Sequence, residues 1–146
     1  MLRGIWGDNE RYVDTYWSRW PQYYFAGDGA KYDDDGALWL LGRVDDVINL
    51  GGVKVDPVSL ESMALAVTGV IDAAAYLIHD DKGLPKIEMA LVVDGDDVVR
   101  AVDIEIRSHS STVVPAIYRR VNSLPRNQMG KLVRHDIQSH ITGGQR

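Results

Sequence analysis

Residues 23–52 read YYFAGDGAKYDDDGALWLLGRVDDVINLGG, and this stretch decides the fold. Apolar and aromatic residues stand on both sides of Asp35-Gly36, a dipeptide typical of the tight turn of a β-hairpin. Two short apolar segments flank Gly51-Gly52 in the same way, so we predict a second hairpin there. The acidic run DDD beside the first turn does not suit a metal, because contiguous carboxylates do not converge like the alternating ligands of a calcium loop. We assign the run to the turn and predict no metal site.

The flanking sequence predicts further helices and strands. Upstream, DNERYVDTYWSRW at 8–20 fits an amphipathic helix, with Asp8 as its cap and Pro21 as its stop. Downstream, Asp56 followed by Pro57 is a typical helix start. The elements predicted from there are a helix at 57–67, strands at 70–79 and 86–93, a helix at 96–110, a strand at 116–121, and a helix at 133–141 with Val133, Ile137 and Ile141 on one face. The predicted fold class is α+β, a hairpin and a three-stranded sheet covered by helices.

The composition of the chain changes near LGRVDD. All four tryptophans lie ahead of Gly42, whereas the apolar residues after it are mostly Val, Ile, Leu and Ala. Such a change indicates two packing environments, and we place the boundary between residues 1–44 and 45–146.

Length, charge and composition exclude several classes of function. The 146 residues suffice for one domain with a core but are few for a two-domain enzyme. The net charge of −5 argues against a protein that mainly binds nucleic acid or an anionic membrane. There are no cysteines, no apolar run long enough to span a bilayer, and no signal-peptide pattern at the start. We therefore expect a cytoplasmic protein without a nucleic-acid partner or a membrane span.

A basic loop, LPRNQMGKLVRHDI at 124–137, is a candidate site. Gly130 frees the backbone, so the Lys131 ammonium could reach a phosphate or a carboxylate as a compact positive charge. A solvated basic turn has the same composition, and the loop by itself leaves both interpretations open.

Together, YYFAGDGAKYDDDGALWLLGRVDDVINLGG and LPRNQMGKLVR resemble the AMP-forming acyl-CoA synthetases of the adenylate-forming ligase superfamily. The segment RGIWGDNERYVDTYWSRWPQYYFAGDGA is most similar to acetyl- and propionyl-CoA synthetases. The resemblance implies a ligase that joins a small carboxylic acid to the α-phosphate of ATP, releases pyrophosphate and transfers the acyl group to CoA. ATP, AMP and CoA would be substrates or products, Mg²⁺ would accompany ATP, and no tightly bound cofactor is implied.

The resemblance also implies roles for single residues. Lys131 matches the catalytic lysine, whose ammonium would offset the repulsion between two anions and stabilise the transition state. Asp28 matches an aspartate that accepts hydrogen bonds from the ribose hydroxyls, and Arg43 an arginine near the ribose and phosphates. Asp45 matches the hinge about which the small domain swings.

Two more residues match positions near the thiol and the phosphate. Gly52 matches the glycine beside the pantetheine tunnel of CoA, where a side chain would block the thiol. Lys54 stands where the family often has an arginine near the phosphate. Without the resemblance, Gly52 and Asp28 would be interpreted as turn residues, and Arg43 and Asp45 as surface charges.

Much of the family's site has no counterpart in these residues. The sequence contains no phosphate loop ending in Pro-Lys, no acyl pocket and no adenine platform. We therefore interpret 1–44 as the β-rich edge of a missing large N-terminal adenylation domain and 45–146 as the C-terminal lid domain. We expect no turnover without that large domain, supplied in cis or in trans.

Other functions fit the same residues. One is a stand-alone lid-like module that binds or regulates without catalysis. Another is part of a ligase that loads an acyl group onto a carrier protein, and a third possibility is a degraded gene product without function.

Overall fold

The computed structural model describes residues 2–95, 97–110 and 113–143. The chain divides into two compact units, one ending at Asp45 and the other beginning at Asp46. That the first is the edge of a larger domain and the second a lid stays a prediction.

The first unit begins with helix α1 (Asn9–Tyr16). Its cap is Asp8, whose carboxylate accepts a backbone N–H of the first turn at 3.1 Å, as predicted. The predicted extension of this helix to residue 20 is wrong. The chain folds back after Tyr16, whose ring stacks on Tyr24 with centroids 5.1 Å apart and whose carbonyl accepts the Phe25 N–H at 2.9 Å. These aromatic contacts outweigh the helical pattern of the last turn.

The first hairpin consists of β1 (Asp28–Tyr32) and β2 (Leu38–Arg43), paired antiparallel. Asp33 organises its turn, because its carboxylate accepts two backbone N–H groups at 2.8 and 3.1 Å and the Trp39 indole N–H at 2.6 Å. The hydrogen bond from Trp39, followed by those from the backbone, holds the pKa of Asp33 below its usual value. The acidic run therefore forms the turn, as predicted, and Gly36 completes it with a φ of +81°.

The second unit is an α+β domain. Its elements are β3 (Ile48–Leu50), β4 (Val53–Val55), α2 (Pro57–Leu65), β5 (Val70–His79), β6 (Pro85–Val93), α3 (Val98–His109), β7 (Ile117–Arg120) and α4 (Ile137–Gly143). β3 and β4 form the predicted second hairpin. β5, β6 and β7 form a three-stranded sheet in that order, antiparallel between β5 and β6 and parallel between β6 and β7. The predicted start of the third helix, Asp96, lies outside the described residues.

Apolar side chains cover both faces of this sheet. Side chains alternate along a strand, so the neighbours Ala74 and Ala75 on β5 belong to different clusters. The larger cluster joins the sheet to β3, β4, α2 and α3, and its buried members are Ile48, Val55, Leu60, Ala64, Ala73, Ala75, Ile87, Met89, Leu91, Val102 and Ile106. The smaller cluster joins the sheet to the C-terminal segment, through Ala74, Tyr76, Ala90, Leu124 and Ile137.

The last helix begins later than predicted. Instead of one helix over 133–141, a 3₁₀ turn at Arg134–Asp136 precedes α4. Val133 cannot join the helix, because its N–H donates to the Pro125 carbonyl at 2.9 Å and holds it in the preceding loop. Ile137 is fully buried and Ile141 packs beside it, so those two members of the predicted apolar face are correct. Over the described part of the chain, no helix has the length and apolar character needed to cross a membrane.

Candidate functional site

In the first unit, Arg43 contacts two other sequence-predicted residues, Asp28 and Asp45. It ends β2 directly opposite Asp28, the first residue of β1. Its Nη1 donates to the Ala26 carbonyl at 2.7 Å and lies 3.4 Å from Asp28 Oδ1, while its Nη2 lies 3.2 Å from Asp45 Oδ2. The Arg43 and Asp28 side chains are each 50% exposed. Solvent screening makes such a pair a weak contribution to stability, and both groups are accessible to a ligand.

Gly27 is a residue that the sequence analysis missed. Its φ is +78°, and a Cβ built on it would lie 2.6 Å from Nη2 of Arg43. Any side chain at this position would therefore displace the guanidinium, which occupies the space that glycine leaves. The GDG motif contained the signal, but only the pairing of β1 with β2 shows that Arg43 packs there.

Lys131 lies on a small hairpin of its own in the second unit. Arg126 and Leu132 form an antiparallel bridge at its base. The Asn127 side chain accepts the Lys131 N–H at 2.9 Å, and the Asn127 N–H donates to the Lys131 carbonyl at 2.9 Å. Gly130 turns the chain with a φ of +77°. The backbone of Lys131 is thus hydrogen-bonded on both sides, so the freely rotating part is its exposed side chain and not the loop.

Arg126 ties this hairpin to the sheet. Its Nη2 and Nε lie 2.6 and 3.2 Å from Asp72 Oδ2 on β5, and its Nη1 donates to the Gly130 carbonyl at 2.7 Å. One guanidinium thus holds both the strand and the glycine next to Lys131. The sequence around Arg126 does not reveal this role, because its partner lies 54 residues away along the chain.

Gly52 and Lys54 lie on the β3–β4 hairpin. Gly52 has a φ of +97°, and a Cβ built on it would meet nothing within 4 Å. Backbone conformation therefore requires this glycine within the unit, but space does not. Among the residues that the structure describes, neither Lys54 nor Lys131 has an ion-pair partner, so both ammonium groups are available to an anion.

A polar cluster that the sequence analysis did not single out lies where the C-terminal segment meets α2. Glu61 is 8% exposed, and its carboxylate accepts the Ala75 N–H at 2.8 Å. The Arg134 guanidinium makes two hydrogen bonds to that carboxylate, one of them from Nη2 to Oε2 at 2.9 Å. Its Nε lies 3.3 Å from Asp46 Oδ2. The hydrogen bonding to Glu61 raises the pKa of Arg134, as expected for a half-buried guanidinium that is paired with a carboxylate.

A cavity of about 680 Å³ opens beside β7 and α4. Its lining includes Arg119, Asn122 and Ser123, and the Ser123 hydroxyl lies 3.2 Å from Nε2 of His140. None of the sequence-predicted site residues lines it, so it is separate from the candidate site. Within the described ranges, no group of three His, Asp or Glu side chains is placed to hold a metal ion.

Acetyl-coenzyme A synthetases of two bacteria are similar to this chain over nearly all of its length. The chain is 40% identical to the acetyl-coenzyme A synthetase of Gemmatimonas aurantiaca over 98% of its own length and 23% of that protein. It is also 40% identical to the acetyl-coenzyme A synthetase of Streptomyces coelicolor over 92% of its own length and 22% of that protein. The chain belongs to the adenylate-forming ligase superfamily. It corresponds to the C-terminal portion of the acetyl-coenzyme A synthetases and spans less than a quarter of these two relatives. No protein-family model matches it.

Solved structures of ligases share the fold. The amide bond synthetase McbA from Marinactinospora thermotolerans matches with a TM-score of 0.80 at 25% identity, over 96% of this chain and 29% of that one. The O-succinylbenzoate coenzyme A synthetase from Bacillus subtilis, in complex with AMP, matches with a TM-score of 0.80 at 23% identity, over 94% and 28% of the two chains. The predicted family and the α+β class are therefore confirmed, while the individual roles stay predictions for Asp28, Arg43, Asp45, Gly52, Lys54 and Lys131.

Proposed function

We propose that this chain provides the lid of a cytoplasmic, AMP-forming acid–CoA ligase that acts on a short carboxylic acid. The observation that carries the proposal is the Lys131 hairpin. It presents an exposed ammonium, without an ion-pair partner in the described part of the chain, on a turn anchored to β5. The 40% identity to acetyl-coenzyme A synthetases supports acetate or a close homologue as the acid.

The first half-reaction of the proposed ligase needs a positive charge near the α-phosphate of ATP. In the first half-reaction a carboxylate oxygen bonds to the α-phosphorus of ATP while the bond to pyrophosphate breaks. Two anions meet, and the Lys131 ammonium would offset their repulsion and stabilise the charge that develops. In the second half-reaction the CoA thiol gives up its proton, its sulfur bonds to the acyl carbon, and the bond from that carbon to the phosphate oxygen breaks, so that AMP leaves with the electron pair. Bonds are made and broken at carbon and phosphorus is not attacked, so a lysine that assists attack at phosphorus is not required.

Three of the sequence-predicted residues would contact the nucleotide. Asp28 is half-exposed, and its carboxylate can accept hydrogen bonds from both ribose hydroxyls. Arg43 and Lys54 would face the phosphates, where Mg²⁺ accompanies ATP, and Arg43 suits that role because its planar donor fork matches phosphate oxygens. Gly52 would leave room for the pantetheine arm of CoA.

The exposed apolar surface of the first unit supports the proposal that a large domain packs against it. Of residues 2–45, only Gly27 is buried. Large aromatic side chains are instead open to solvent, with Trp6 fully exposed and Tyr23, Tyr32 and Trp39 exposed by 72, 74 and 56%. A unit with no apolar core of its own and so much exposed apolar surface needs a partner surface. The large adenylation domain of the same ligase would cover it.

A chimera tests the proposal. The lid of an acetyl-coenzyme A synthetase would be replaced, from the residue that matches Asp45, by residues 45–146 of this chain. We expect it to form acetyl-CoA from acetate, ATP and CoA well above the level of the same enzyme truncated before its lid. A folded chimera no more active than the truncated enzyme would contradict the proposal. Transfer to a carrier-protein arm but not to CoA would favour a loading ligase instead.

A further inference from the structure

Two neighbouring aspartates are held by arginines of different units. Asp45 Oδ2 lies 3.2 Å from Arg43 Nη2 in the first unit. Asp46 Oδ2 lies 3.3 Å from Arg134 Nε in the second unit. The division of the chain into compact units falls between these two aspartates. On each side of the junction, an aspartate thus forms a charged hydrogen bond with an arginine of its own unit.

The Arg134 contact is the firmer of the two. Its side chain is 20% exposed, compared with 50% for Arg43, and Asp46 is 36% exposed, compared with 70% for Asp45. Solvent screens the more exposed pair more strongly. Arg134 is also held in place by the Glu61 carboxylate and by the Ala75 carbonyl on β5, which accepts its Nη1–H at 3.3 Å. Asp46 is therefore bonded to a group that is itself fixed on the core of the second unit.

We propose that Arg134 is the positioning residue that ends the hinge: it holds Asp46 to the second unit and so confines rotation to the Asp45–Asp46 junction. Without this contact Asp46 would be held only by the 3₁₀ turn Val44–Asp46, which runs through the junction itself. The next residue fixed on the core of the second unit is Ile48, which is 8% exposed and belongs to the larger apolar cluster. Asp46 and Val47 would then join the hinge, since Val47 is 37% exposed. A hinge at one junction turns a domain as a rigid body, whereas each added free residue adds two soft dihedrals.

The same side chain connects the hinge to Lys131. Arg134 follows Lys131 by three positions, and the residues between them are fixed. Leu132 forms the bridge with Arg126, and the Val133 N–H donates to the Pro125 carbonyl. Rotation at the junction would therefore carry the lysine hairpin with it as one body. This consequence rests on the proposed function, but the role of Arg134 at the junction does not.

Backbone order parameters from ¹⁵N relaxation of the full 146-residue chain test the inference. The amides of Asp46 and Val47 should be as ordered as those of β5, with order parameters of about 0.85. Asp46→Ala should lower the order parameters at positions 46 and 47 towards about 0.6 and leave β5 and α2 unchanged. Asp103→Ala is the matched control, since it removes the partner of Arg107 on α3, away from the junction, and should leave positions 46 and 47 unchanged.

Unchanged order at positions 46 and 47 in Asp46→Ala would overturn the proposal, whatever the chimera shows. A loss of order that spreads over β5 and α2 would overturn it as well, because it would mark general loosening of the unit. The same local loss in the Asp103→Ala control would also count against a specific role. The test involves no catalysis, so its failure is distinct from a failure of the proposed function.

Discussion

At the residue scale, the neighbours Gly51 and Gly52 allow a test of the pantetheine tunnel that the resemblance implies beside Gly52. Both have positive φ, +60° and +97°, and a Cβ at either would meet nothing within 4 Å. Leucine should cost about 1–2 kcal/mol of backbone strain at Gly51, whose φ lies in the left-handed helical region, and more at Gly52, whose φ lies beyond it. In the chimera, Gly52→Leu should spare acyl-adenylate formation but slow CoA transfer at least about tenfold, because the side chain would fill the path of the thiol. Gly51→Leu should spare both half-reactions, and an equal loss of CoA transfer in both variants would remove the tunnel interpretation.

Gly27 allows a similar test of Arg43. Alanine at this position would place a Cβ 2.6 Å from the Arg43 guanidinium and displace it, whereas the Cβ of Gly29→Ala would lie 3.6 Å from its nearest neighbour, at ordinary contact. If Arg43 contacts the nucleotide, Gly27→Ala should raise KM for ATP by about tenfold, the loss expected for one charged hydrogen bond. This variant is made in a second, longer chimera, in which residues 1–146 of this chain replace the matching C-terminal portion of the synthetase. Arg43→Ala should raise KM as much, without the backbone strain that a side chain meets at the positive φ of Gly27, and Gly29→Ala should leave KM near that of the parent. A similar rise in both glycine variants would show that the strand and not Arg43 matters.

At the scale of single elements, the caps of α2 and α3 form a natural pair. The Asp56 carboxylate accepts the Val58 and Ser59 N–H groups at 3.0 and 3.2 Å, whereas Asp97 holds the same position on α3 without a side-chain cap hydrogen bond. Asp56→Ala should lower the free energy of unfolding by about 1–2 kcal/mol. Asp97→Ala should lower it by less than about 0.5 kcal/mol. Urea unfolding of both variants measures the difference, and equal losses would contradict the capping role.

Sequence predicted those elements whose signals are local. The cap at Asp56, the turn at Asp33 and the ends of β5 all depend on neighbouring residues, and all three match the structure. The predicted helix over 133–141 failed because a hydrogen bond to the preceding loop holds Val133, and a helical apolar period cannot reveal that contact.

In the candidate site too, the sequence reveals single residues but not the long-range contacts that hold them. Lys131 stands out through its motif, and Asp28 and Arg43 through theirs. The contacts that hold these residues join positions far apart in the chain, such as Arg126 with Asp72 and Arg134 with Glu61, which are 54 and 73 residues apart. Spacing alone cannot predict such pairs, because only the fold brings them together.

At the scale of the whole molecule, the exposed apolar surface of the first unit should cause self-association. Leu38 and Leu40 on β2 are 57 and 75% exposed. The double variant Leu38→Ser/Leu40→Ser should shift the protein towards monomer in sedimentation velocity, because it removes apolar area that water covers unfavourably. Leu84→Ser, which changes a leucine of similar exposure (56%) in the second unit, should leave the distribution unchanged. Monomeric wild-type protein at high concentration would contradict this expectation.

The delivery of Lys131 to the reacting phosphate is the central claim, and the two half-reactions of the chimera test it most directly. Lys131→Ala should slow acyl-adenylate formation by at least about a hundredfold, the usual cost of removing one group that stabilises transition-state charge. Lys82→Ala is the control for a general loss of positive charge, because Lys82 is an exposed lysine in the turn between β5 and β6 to which no role is assigned. It should leave both half-reactions at the parent rate. Thioester formation from preformed acyl-adenylate should proceed at the parent rate in Lys131→Ala, since the thiol attacks the acyl carbon and phosphorus is not attacked in that step. Equal loss in both half-reactions, or no loss in either, would contradict the account.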